Sequence, residues 1–90
     1  MTTREIIDGL PEKVRAQVEQ YRADYTRWLK YAEGDDEGYA NTGRRYAEEV
    51  RQRMGGYALG LFHAGLLDDR GRQAVFIYMT VPKREVENAY

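Results

Sequence analysis

Few side chains in this sequence can do chemistry, and their spacing limits what they can do. There is one histidine, His63, and no cysteine. No carboxylate stands three or four residues to either side of His63, so nothing on its own helix would orient the ring for proton transfer. Zinc sites draw on clustered Cys and His, and di-iron bundles on Glu-x-x-His pairs; neither pattern occurs. The acidic run Asp35-Asp36-Glu37 resembles a calcium loop only superficially. Counted from Asp35, position six is Ala40, where such a loop needs glycine for its sharp turn. The glycine-rich "MGGYALG" has neither the order of a phosphate loop nor a preceding strand. We therefore expect no catalytic residue, no metal and no cofactor, and read the chain as not an enzyme.

Arginine offers a second kind of chemistry. Arg44, Arg45, Arg51 and Arg53 crowd one predicted helix and Arg70 and Arg72 open another, an arrangement that could meet phosphates. Against it stands a formal net charge of −1, with Glu48 and Glu49 four residues beyond Arg44 and Arg45, where they are expected to pair. The turn at Gly65 suggests a helix-turn-helix, but its second helix would read "AVFIYM", a core sequence with few groups for base edges. A nucleic-acid-binding regulator is the alternative reading. The leading one is a binding module that acts on a protein partner or on a second copy of itself. Its candidate surface is Leu59, Phe62 and Leu66, with Tyr31 and Tyr39 lying off the main apolar stripes, since tyrosine and phenylalanine are enriched where proteins meet. By type alone, such a small cysteine-free chain suits a phage or mobile-element accessory protein that inhibits or modulates a host system.

These residues must be carried by helices. Ninety residues make one small domain with 42% hydrophobic and 32% charged content, which is ordinary for a globular chain. Thr2 and Glu5 fit a capping box ahead of a short helix at 3–8, stopped by Gly9. Leu10, Val14, Val18, Tyr21, Tyr25, Trp28 and Ala32 recur at three and four, predicting a long amphipathic helix over 11–33. A polar turn over 34–41 separates it from a second long helix, whose stripe reads Tyr46, Val50, Met54, Tyr57, Leu61 and Ala64. That helix is placed at 42–64, although its start could lie anywhere from Asp36 to Thr42. Two such helices joined by a short turn pack antiparallel.

The stretch "RMGGYALGLFHAGLL" holds a second apolar face, with Ala58, Leu59, Phe62 and Leu66 on it. It also holds a strip of Gly56, Gly60 and Ala64, along which we expect another element to pack closely, with a kink at Gly55-Gly56. Gly65 is placed as the left-handed residue of a Schellman end, followed by Leu66, with Asp68 or Asp69 capping a third helix at 69–80. Pro82 closes that helix. A strand is the competing reading of "AVFIYMTV", but it would have no partner to pair with. Residues 82–90 are read as a loose tail. The expected fold is all-α: a small bundle built on an antiparallel pair of long helices. No apolar run approaches a membrane span and the start lacks the pattern of an export leader, so a soluble, cytoplasmic protein is expected.

Overall fold

A computed structural model describes residues 2–81. It is all-α among these residues, with α1 at Thr3–Asp8, α2 at Glu12–Ala32, α3 at Glu37–His63 and α4 at Asp69–Thr80. The tail expected over 82–90 lies outside the described residues.

Local chemistry sets most of the helix ends. The Thr2 side chain accepts from the Glu5 amide at 3.2 Å, and the Glu5 carboxylate accepts from the Thr2 amide at 3.1 Å, which completes the capping box of α1. Asp36 caps α3 through the Tyr39 amide, and Asp68 caps α4 through the Gly71 amide at 2.7 Å. At the far end of α3, Gly65 takes φ +80°, the left-handed conformation that costs glycine nothing. The Leu66 amide donates to the Leu61 carbonyl and the Gly65 amide to the Phe62 carbonyl, which is the double bond of a Schellman end. Residues 74–80 are helix, and Val81 is extended ahead of Pro82.

The structure corrects three expectations. First, α3 begins at Glu37, within the range left open but ahead of residue 42, because the Asp36 side chain accepts from the Tyr39 amide and starts the helix there. Second, the buried stripe of α3 is Ala40, Gly43, Ala47, Val50, Met54, Ala58 and Leu61. Val50, Met54 and Leu61 are buried as expected and Tyr57 is half-buried against the core, whereas Tyr46 and Ala64, assigned to the same stripe, are exposed. Third, no element packs closely on the glycine strip, since an added Cβ at Gly56 or Gly60 would meet nothing within 4 Å. The glycine strip faces open space. Close approach happens instead at Gly43, where a Cβ would lie 2.6 Å from the Ala32 amide nitrogen and 2.8 Å from the Trp28 carbonyl oxygen.

α2 and α3 pack along their lengths, α4 lies against both, and α1 packs on α4. The core forms where these elements meet: Ile7, Val18, Met54, Val75 and Met79 are the largest fully buried side chains. Around them gather Leu10, Val50, Ala58 and Tyr78. One polar residue is buried with them. Arg22, 6% exposed, donates from Nη1 to the Tyr78 hydroxyl at 2.9 Å, and that hydroxyl donates in turn to the Glu19 carboxylate. The guanidinium also lies 4.5 Å from the centre of the Tyr78 ring. This joins α2 to α4 through a charge-assisted bond that nothing in the local pattern around Arg22 announces.

Candidate functional site

The candidate site follows from how closely the two long helices approach at the end away from α1 and α4. Gly43 brings the α3 backbone against the α2 backbone at Trp28 and Ala32, and the buried residues of α3 on this side are only Ala40, Gly43 and Ala47. Such a seam has no room for large side chains. The aromatic residues of this end are therefore turned to its flank, where one edge packs on the neighbouring helix and the other meets water.

There they form a continuous array. Trp28 stacks on Tyr46 with centroids 4.7 Å apart and planes 26° from parallel. Tyr31 lies 5.6 Å from Trp28, and Tyr39 lies 6.5 Å from Tyr31. Further along the seam, Tyr21 meets Tyr57 at 5.4 Å. On α3 the members Tyr39, Tyr46 and Tyr57 are seven and eleven residues apart, which keeps them on one stripe. That stripe is turned away from α4: Tyr46 is about 180° around α3 from Gly55, and Trp28 about 120° around α2 from Arg22. Gly55 and Arg22 are the positions that meet Phe76 and Tyr78 of α4. Exposure rises toward the tip, from 36% at Tyr46 to 48% at Tyr31 and 66% at Tyr39. Two guanidinium groups decorate the inner rings, Arg27 over Trp28 at 5.0 Å and Arg45 over Tyr46 at 5.2 Å. Burial, and then the neighbouring Tyr21, raise the pKa of the Tyr57 phenol above its usual value.

The five residues proposed from sequence as a protein interface fall into two groups. Tyr31 and Tyr39 are brought together in the array. Leu59, Phe62 and Leu66 lie at the opposite end of α3; Tyr39 and Leu59 are about 30 Å apart along the helix axis. Leu59 and Leu66 are exposed and Phe62 is half-buried with its ring against His63. Leu66 lines a groove of about 400 Å³ with Ile6, Leu10, Leu67 and Arg70. Of the second apolar face read from the sequence, Ala58 is buried while Leu59 and Leu66 are exposed, and Ile77 of α4 is exposed as well.

The arginines are distributed differently from expectation. Glu48 pairs with Arg51 through two bonds of 2.9 and 3.1 Å, so the expected pairing of Glu48 with Arg44 is replaced by one on the following turn. That pairing lowers the pKa of the Glu48 carboxyl and raises that of Arg51. Arg44 donates to the Asn41 side chain, and Arg72 pairs with Asp69 at 2.7 Å. Arg53 and Arg70 are exposed. The cationic residues on α3 and α4 are thus largely engaged by neighbours within their own helices.

Sequence reasoning did not name Trp28 or Tyr46 as site residues because both fit an apolar stripe; Trp28 is half-buried and packs against the core as that stripe implies, whereas Tyr46 is exposed. The signal that would have found them is the small-residue series Ala40, Gly43 and Ala47, whose spacing marks the true line of helix contact. Among the described residues, no group of three or more His, Cys, Asp and Glu is placed to hold a metal ion, and no helix is long and apolar enough to cross a membrane. Compared with known proteins, the chain matches no family model, no curated protein and no solved structure.

Proposed function

We propose that this protein is a non-enzymatic binding module that docks a protein partner on the aromatic tip formed by α2 and α3. The observation that carries the reading is the array Trp28, Tyr46, Tyr31 and Tyr39, held in contact and increasingly exposed toward the turn. Interface energy concentrates in aromatic and arginine side chains that are pre-positioned, because a ring already held by neighbours loses little conformational freedom on binding. Here each ring rests on another, and two carry an arginine as well. Tyrosine adds a hydroxyl at the rim of an otherwise apolar contact, which suits a surface that is wet when free and dry when bound.

The test is capture from host lysate after nuclease treatment, comparing the wild type with the double variant Y31A/Y39A. Both positions lie outside the buried core, so circular dichroism and the unfolding midpoint should be nearly unchanged. The expected result is one protein retained near stoichiometry by the wild type and lost by the variant. Equal retention by both, retention of nuclease-sensitive material alone, or no retention would overturn the reading.

A further inference from the structure

The aromatic tip is polarised, and its polarity identifies the kind of partner it fits. Its inner rings, Trp28 and Tyr46, already carry a guanidinium each, at 5.0 and 5.2 Å. Its outer rings, Tyr31 and Tyr39, are the most exposed of the array, and their ring contacts are with one another and with Trp28. Between them in the chain lie Glu33, Asp35, Asp36 and Glu37, and no Lys, Arg or His. On the α2 side, Arg27 and Lys30 share a shallow groove with Tyr31, so the charge changes sign from the inner rings to the turn. All four carboxylate residues are exposed. Asp36 uses one oxygen to cap α3 through the Tyr39 amide, which ties the turn to the outer ring. The molecule therefore shows at its inner rings a flat cation lying on an aromatic face, a contact that the outer rings do not make, and the turn that joins the outer rings carries four exposed carboxylate residues.

We infer that the segment docking on Tyr31 and Tyr39 is an arginine-rich stretch of the partner protein, whose guanidinium groups lie on the two rings while their edges pair with the carboxylates of the turn. Arginine fits better than lysine, since its planar group can stack on a ring and present N–H donors sideways to a carboxylate at once. Charge complementarity of this kind acts mainly by steering encounter and rejecting acidic surfaces, so binding should weaken with salt. The inference rests on the protein-binding reading above and narrows it to one class of partner.

The experiment uses the full chain and the fluorescence of Trp28, the only tryptophan, as a reporter inside the array. The probes are a short peptide of alternating arginine and alanine and its glutamate–alanine counterpart. The arginine peptide should change Trp28 emission saturably and the glutamate peptide should not. Affinity should fall by about tenfold in E33Q/D35N/E37Q, which leaves the Asp36 cap in place, and by a similar factor between about 50 and about 300 mM salt. It should also be lost in Y31A/Y39A. A response that survives Y31A/Y39A would reduce the effect to diffuse attraction and overturn the inference, as would equal binding of the glutamate peptide or indifference to neutralising the turn. If the arginine peptide fails while the lysate partner is still captured through Tyr31 and Tyr39, the cationic class is wrong and the binding module stands. If both fail, the aromatic tip is not a docking surface.

Discussion

The two ends of the α2–α3 pair are built from similar residue types and solve the packing problem in opposite ways. At the end covered by α1 and α4, large side chains point inward: Val18, Met54, Val75 and Met79 are sealed at 0% exposure. At the tip the helices come so close at Gly43 that only small residues fit between them, and the large ones are displaced to the flank. The first arrangement buries apolar area and supplies stability; the second leaves aromatic area accessible and supplies a surface. Fold and proposed site are thus separated along one pair of helices.

The separation can be broken first at the covered end. Met54→Ala removes a fully buried side chain among Val18, Val75 and Met79, and should cost about 2–5 kcal/mol in urea denaturation while leaving the aromatic array free of new contacts. A cost below about 1 kcal/mol would mean that the core is not closed around this residue.

The polar link between α2 and α4 gives the next largest effect. Tyr78→Phe removes the hydroxyl that accepts from Arg22 and donates to Glu19, with an expected loss of about 1–3 kcal/mol. The same link has a pH signature. Burial first, and then the bond to Glu19, raise the Tyr78 phenol above its usual pKa, so the folded state holds this proton more tightly than the unfolded chain. Its contribution is fully present below the unfolded tyrosine value of about 10 and is lost as pH rises through the higher folded value. Unfolding followed by circular dichroism should therefore show a steeper alkaline decline in the wild type than in the Phe variant.

The smallest effects sharpen the comparison most, because they set two glycines of one helix against each other. Gly43→Ala places a Cβ against backbone atoms that cannot yield without moving α2, and should destabilise by about 1–3 kcal/mol despite the better helix propensity of alanine. Gly60→Ala meets open space and should stabilise by about 0.5–1 kcal/mol. Thermal unfolding of the two variants in parallel checks both signs, and equal effects would remove Gly43 as the point of close approach.

Much of the fold was legible because it is encoded locally. The capping box at Thr2 and Glu5, the left-handed Gly65 with its two backbone bonds, the Asp68 cap and the break before Pro82 each involve groups a few residues apart, so their energetics need no knowledge of the rest of the chain. The register of α3 was not legible. Tyr46 and Ala47 are neighbours, and either can be assigned to an apolar stripe; the larger residue carries the stronger hydrophobic signal, yet the smaller one is buried. The same weakness hid the site, since Tyr46 reads as core from periodicity alone and is exposed, while Trp28 packs against the core and also stacks on Tyr46.

What the sequence by itself determined is therefore the set of helices, their order and most of their ends, since these follow from backbone bonding and capping within a single turn. Which glycine lets the helices touch, which aromatic rings are displaced to the flank, and that Arg22 finds Tyr78 across 56 residues of chain were decided only by the tertiary structure. Those outcomes depend on the distance between helix axes and on their rotation about one another, and no single helix carries that information.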